Sequence, residues 1–186
     1  MSLPDPAVPT SGRRVGVLVA CVLGLGVSMT WTFLSLRVGL GVGGPCAEGG
    51  PHVPLQACPD GSALIAVAIP LMLLSALVGT AVALSVSAPN LFVPMWAALF
   101  GSLSWNFLDY GVTTLGSPVW SWVICGVAFA VVALPAVYAM ALGLRATLVP
   151  RDGATGRPES RKWYGLYPVL GAAGVLLGVL TFNALA

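Results

Sequence analysis

Five long apolar stretches separated by short polar segments dominate the sequence. A membrane-spanning helix needs about 20 apolar residues, within a range of roughly 17 to 25. Because the hydrocarbon core holds no water to bond the backbone, such stretches close their hydrogen bonds internally as helices. The pattern therefore predicts an all-α fold, a polytopic transmembrane bundle of five spanning helices at residues 15–36, 62–86, 91–108, 119–144 and 166–185.

The segments around these helices are short and rich in Gly, Pro and polar residues, which predicts a tail and loops. The third helix has the weakest pattern, because it is the shortest of the five and contains Pro94. The predicted connections are a cytoplasmic tail at residues 1–14, an extracytoplasmic loop at 37–61, a tight turn at 87–90, a second extracytoplasmic loop at 109–118 and a basic cytoplasmic loop at 145–165.

Lys and Arg residues set the predicted orientation, because cytoplasmic loops carry an excess of them. With the N-terminus inside and the C-terminus outside, only Arg37 lies on the outer side. If the third helix did not cross, the basic loop would face outward and this asymmetry would be lost, which favours five crossings over four. The cytoplasmic side then holds Arg13, Arg14, Arg145, Arg151, Arg157, Arg161 and Lys162.

Composition agrees with a membrane protein and narrows the function classes. Only 8% of the 186 residues are charged, whereas a soluble domain carries about 25%. The lipid bilayer is therefore the expected partner, and the expected location is the cell (plasma) membrane. The basic residues flank apolar runs and form no stripe, so nucleic-acid binding has no support. No nucleotide or metalloprotease motif is present, and no cofactor is predicted.

Two cysteines, Cys46 and Cys58, fall in the first extracytoplasmic loop. In an oxidising compartment they are expected to form a disulfide, which would contribute about 3 kcal/mol by restricting the unfolded chain. The alternative is a metal site that adds His52 to the two thiols, with Glu48 or Asp60 as a further ligand. Two extracytoplasmic cysteines without further cysteines nearby more often form a structural disulfide than a metal site. The disulfide is therefore preferred and no metal is predicted.

Polar residues recur at helical spacing in two of the predicted helices. The i, i+4, i+7 spacing places each trio on one helix face in the outer half of the membrane. One interpretation is an outward-opening vestibule, with Asp109 as its acid and Arg37 as counter-ion, that binds a small polar solute or passes a proton. The favoured alternative is interhelical hydrogen bonding, worth about 0.6 kcal/mol per pair. The trios are Ser28, Thr32 and Ser35 on the first helix and Ser102, Asn106 and Asp109 on the third.

Small residues also recur every fourth position, which lets helices approach closely. Such stripes predict tight packing within the chain or a homo- or hetero-oligomer through small-residue helix faces. The stripes are Gly16, Ala20 and Gly24 on the first helix, Ser75, Gly79 and Ala83 on the second, and Gly174 and Gly178 on the fifth.

Three short motifs carry a resemblance to a known group of proteins: GGPC at residues 43–46, CPDG at 58–61 and SLSWNFLDYG at 102–111. They resemble uncharacterised actinobacterial integral membrane proteins with a GGP…CPxG outer loop and a WNFLEYG-like helix end. The resemblance implies an outer-loop disulfide and marks the segment from Trp105 to Tyr110, but it implies no activity. Asp109 stands where that pattern has Glu.

The function predicted from these observations is that of a non-enzymatic accessory, scaffold or assembly subunit. One alternative is a carrier or channel for a small solute or a proton, built on the polar cluster around Asp109. A second alternative is a membrane enzyme or a thiol-redox protein that uses Cys46 and Cys58. The sequence contains no visible nucleophile–base pair, which disfavours an enzyme.

Overall fold

A computed structural model describes residues 12–42, 58–114, 117–148 and 158–186. Within these ranges the chain is all-helical and contains no strand, which confirms the all-α part of the prediction. A π-helical turn, Tyr110–Thr114, continues the third helix. The five α-helices are α1 (Gly12–Gly41), α2 (Leu64–Ser85), α3 (Phe92–Asp109), α4 (Trp120–Leu148) and α5 (Pro158–Leu185).

The helices lie where the apolar stretches predict them, but four extend into segments predicted as loops. α3 ends at Asp109 and continues as the π-helical turn Tyr110–Thr114, inside the predicted loop at 109–118. Arg37, assigned to the loop at 37–61, lies inside α1. The end of α4 and the start of α5 both enter the predicted loop at 145–165. Leu, Arg and Lys are good helix formers, so backbone hydrogen bonding continues past the point where the apolar pattern stops.

In the part of the chain that the structure describes, four helices are long and apolar enough to cross a membrane: α1, α2, the Trp120–Arg145 part of α4 and the Lys162–Leu185 part of α5. α3 is not among them, because its second half carries polar side chains that include Asn106 and Asp109. The described residues are therefore all-helical and contain four candidate membrane spans.

α1 and α5 run parallel and approach each other closely through glycines. A Cβ atom added to Gly174 would lie 2.6 Å from the carbonyl oxygen of Leu23. One added to Gly178 would lie 2.7 Å from the Cβ atom of Thr30. Further towards the C-terminal ends, the Trp31 indole nitrogen donates to the Thr181 hydroxyl at 3.0 Å.

α2 runs antiparallel to α1 on another side of it. A Cβ atom added to Gly24 would lie 2.8 Å from the Ser75 hydroxyl, and one added to Gly79 would meet both Cys21 and Leu91. The small-residue stripes of α2 and α5 thus contact α1 of the same chain. At the start of α1, by contrast, Gly16 and Ala20 are exposed.

α3 and α4 form an antiparallel pair held by aromatic side chains. The Phe107 ring lies 5.5 Å from that of Phe129 and 6.4 Å from that of Trp122, measured between centroids. A Cβ atom added to Gly126 would lie 2.7 Å from Leu108, so the two backbones are close. α4 packs mainly against α3, and most of its remaining surface is apolar and exposed.

The turn between α2 and α3 is held by several hydrogen bonds. The backbone N–H of Ala88 donates to the carbonyl of Ala83 at 2.9 Å, and Ser87 between them has a positive φ of 54°. This arrangement is a Schellman motif, in which glycine is the usual residue at the left-handed position. The Tyr167 hydroxyl of α5 donates to the Pro89 carbonyl at 3.0 Å, which fixes the turn against α5.

Candidate functional site

An ion pair joins the C-terminal ends of α1 and α3. The Arg37 Nη2 atom lies 2.7 Å from Oδ2 of Asp109, and Nη1 donates to the Asn106 Oδ1 atom at 3.4 Å. Asn106 and Asp109 are three residues apart, so they share one helix face and meet the same guanidinium. We call Arg37, Asn106 and Asp109 the outer clasp, after the side of the membrane that the sequence predicts for them.

Two aromatic rings support the guanidinium of the outer clasp. Its central carbon lies 5.1 Å from the Tyr110 ring centroid and 5.7 Å from that of Phe33. The Tyr110 hydroxyl also donates to the Arg37 carbonyl at 3.1 Å. Sequence reasoning missed these contacts, although Phe33 precedes Arg37 by one helical turn and Tyr110 directly follows Asp109.

The carboxylate of Asp109 lies outside the four candidate spans and is held in its ionised form. Hydrogen bonds from Arg37 and Thr113 hold the pKa of this carboxyl below its usual range, and the positive charge of Arg37 acts in the same direction. The Thr113 hydroxyl reaches the Asp109 Oδ1 atom at 3.1 Å from the π-helical turn. The carboxylate is therefore charged at neutral pH.

This lowered pKa predicts how stability depends on pH. A carboxyl whose pKa is lower in the folded chain stabilises the fold above its unfolded pKa, about 3.9, and this stabilisation is lost as the pH falls through the lower folded value. We expect the melting temperature of the wild type in detergent to fall below about pH 4. In Asp109→Asn this part of the pH dependence should be absent. The variant should also melt below the wild type at pH 7. Identical pH profiles for the two proteins would contradict the ion pair.

The structure brings together only part of the predicted polar cluster. The hydroxyls of Ser28 and Thr32 donate to backbone carbonyls of α1 itself, at 3.1 and 2.8 Å. Ser102 does the same within α3, at 2.8 Å from the Leu99 carbonyl. Ser35 donates to the Gly61 carbonyl at 2.8 Å, and so joins α1 to the segment before α2. The shared vestibule of both trios is therefore not assembled from these hydroxyls.

One polar side chain of the outer clasp is buried without full hydrogen bonding. Asn106 is 0% exposed, and its Nδ2 atom has no hydrogen-bond partner among the described residues. Its Oδ1 atom accepts from Arg37, as described above. Asn106 is thus the buried member of the polar contact between α1 and α3, and its amide nitrogen is the donor that this contact leaves unsatisfied.

The segment before α2 packs against the C-terminal parts of α1 and α5. Gly61 has a φ of +81°, and a Cβ atom there would lie 2.7 Å from the Phe182 ring, so both backbone and packing require glycine. An open groove of about 480 Å³ lies beside it, lined partly by Ser35, Gly39 and Asp60.

The predicted disulfide and the alternative metal site depend on Cys46, Glu48 and His52, which lie outside the described residues. The disulfide between Cys46 and Cys58 stays a prediction. Within the described ranges, no three His, Cys, Asp or Glu side chains gather in a group suited to a metal ion. Cys21 and Cys125 are free thiols, the first buried and the second exposed.

Comparisons with known proteins found no matching protein family, no similar curated protein and no similar solved structure.

Proposed function

We propose that this chain is a non-enzymatic accessory or assembly subunit of the cell membrane. The observation that supports this proposal is that the polar groups of the outer clasp bond to one another. Arg37 and Asp109 pair with each other across two helices, and Arg37 is held further by Tyr110 and Asn106. A catalytic or transport site needs polar groups that are free to meet a substrate. Here these groups stabilise the packing of the chain itself.

The same proposal includes five crossings, with the N-terminus in the cytoplasm and the C-terminus outside. α3 has 18 residues, which at a rise of 1.5 Å span roughly 27 Å, close to the ~30 Å of a hydrocarbon core. Leu91, which directly precedes α3, packs in one buried cluster with Cys21 of α1, and the last residue of α3 pairs with Arg37. The two ends of α3 therefore lie near the levels of Cys21 and Arg37 in α1, a helix that is itself a candidate span.

Pro94 does not weaken this part of the proposal. α3 begins at Phe92, so Pro94 lies in the first helical turn. The first backbone N–H groups of a helix have no partner within the helix, and a proline there removes no hydrogen bond. The Asn90 side-chain oxygen accepts from the Phe92 N–H at 2.7 Å, which satisfies one of the remaining groups.

The assembly role predicts a discrete membrane-protein partner. The exposed apolar faces of α4 and α5 offer surface for it, with Leu134 60% and Leu176 66% exposed. We expect a photo-crosslinking amino acid at one of these two positions to capture a protein of defined mass in native membranes. The position that gives less crosslinked protein serves as the matched control. It measures crosslinking to membrane proteins that meet the chain only by chance.

Mild-detergent purification should recover the same partner with the unmodified chain. If both positions yield only lipid adducts and the chain purifies as a monomer, the assembly role is wrong.

A carrier for a small solute is the second candidate, favoured by the unpartnered amide of Asn106. Proton transfer has less support, because the lowered pKa of Asp109 keeps its carboxylate ionised at neutral pH. A thiol-redox role for Cys46 and Cys58 involves residues outside the described ranges.

A further inference from the structure

We infer that a water molecule is bound between α1 and α3, where it accepts a hydrogen bond from the side-chain amide of Asn106. This inference does not depend on the proposed assembly role. It starts from a side chain that is 0% exposed and whose Nδ2 atom has no hydrogen-bond partner. Leaving a buried donor unsatisfied costs about 1–3 kcal/mol, so an acceptor at this position stabilises the packed helices.

Flipping the Asn106 carboxamide by 180° does not satisfy all of its polar atoms either. Oδ1 faces the Arg37 Nη1 atom at 3.4 Å, and a guanidinium can only donate. The reverse orientation would place the amide NH2 group against that donor and lose the existing bond. The orientation is therefore set by Arg37, and the NH2 group must point to a different acceptor.

The two grooves described for this chain lie elsewhere, which favours water over a larger ligand at Asn106. The groove of about 480 Å³ near Gly61 is not lined by Asn106. Neither is a second groove of about 340 Å³, which lies between α3 and α4 beside Trp96 and Pro135. A single water needs only about 10–15 Å³ and two to four polar partners.

Further polar partners for the water belong to the same clasp. Arg37 has five N–H donors, of which two make the described bonds to Asp109 and Asn106. The Asp109 carboxylate, one helical turn further along α3, offers acceptor lone pairs. Because Arg37 and Asp109 remain 31% and 26% exposed, water can approach from the outer end, and Asn106 marks the inner limit of the hydrated contact.

The test uses the unmodified chain in lipid bilayers, labelled with ¹⁵N at asparagine alone. The sequence contains three asparagines, Asn90, Asn106 and Asn183, so the side-chain signals are few. Water-selective solid-state NMR measures how fast magnetisation passes from water protons to each nitrogen. We expect the Asn106 side-chain signal to build up nearly as fast as that of Asn90, which is exposed in the turn before α3, and several-fold faster than the Asn106 backbone amide. Equal rates for the side chain and the backbone of Asn106 would overturn the inference.

A hydroxyl that exchanges its proton with water could relay magnetisation without a bound water, and Ser102 lies one turn before Asn106 on the same helix face. The Ser102→Ala variant removes this route. Its hydroxyl bonds only within α3, to the Leu99 carbonyl, so the fold should tolerate the change. Fast transfer to the Asn106 side chain in this variant supports a bound water. Loss of the transfer would assign it to the hydroxyl and overturn the inference.

Discussion

Gly174→Ala is expected to destabilise the folded chain by about 1–3 kcal/mol, the usual cost of overpacking. The added methyl group would lie 2.6 Å from the Leu23 carbonyl oxygen and 3.0 Å from the Gly26 Cα atom. Both are backbone atoms of α1, so no side chain can rotate out of the way. The helices must separate, and the contacts between α1 and α5 weaken along their length. The free energy of unfolding, measured by titration with a denaturing detergent, should report this loss.

Gly171→Ala is the matched control, one turn earlier on the same helix. A methyl group there meets nothing within 4 Å. Both substitutions replace Gly by Ala in a helix, which by itself favours helix formation by up to about 1 kcal/mol. The difference between the two variants therefore isolates the packing cost. Equal stability of the two proteins would mean that α1 and α5 do not pack through Gly174.

The positions of the helices could be predicted from the sequence, but the neighbours of each helix could not. A run of apolar residues is a local property, and all five predicted segments are helical. A GxxxG step such as Gly174 and Gly178 looks the same whether it meets another chain or another helix of its own chain. Here it meets α1, at Gly26 and Thr30. Only the three-dimensional path of the chain decides between these alternatives.

The helix ends were predicted less well for a related reason. Arg37 was assigned to a loop because it ends an apolar run, yet α1 continues to Gly41. The sequence does not show that the Arg37 guanidinium gains an ion pair and two aromatic neighbours, which satisfy its charge within a helix.

The predicted polar cluster shows the limit of helical spacing as a guide. Spacing correctly indicates that Asn106 and Asp109 share a face, since both contact Arg37. It does not reveal that Ser28 and Thr32 bond to carbonyls of their own helix, a local option open to any Ser or Thr in a helix. Sequence reasoning therefore identified the charged residues of the outer clasp and overestimated the number of hydroxyls that join it.

The second large effect that we expect concerns the accessibility of the loops from outside the cell. The number of crossings decides on which side of the membrane each loop lies. Five crossings place Ser117 outside and Arg145 in the cytoplasm. If α3 enters the membrane and returns to the side it came from, both positions change sides. Ser117 and Arg145 are exposed, and they lie at opposite ends of α4. A cysteine at each position therefore distinguishes five crossings from four.

Labelling of intact cells with a membrane-impermeant maleimide makes this measurement, in a background where the four native cysteines, at positions 21, 46, 58 and 125, are replaced by Ser. Arg13→Cys serves as the control for membrane integrity, since it should react only after permeabilisation. Five crossings predict that Ser117→Cys reacts in intact cells and that Arg145→Cys reacts only once the membrane is opened. The reverse result, with Arg145→Cys labelled and Ser117→Cys protected, would contradict the crossing of α3 and with it the proposed topology.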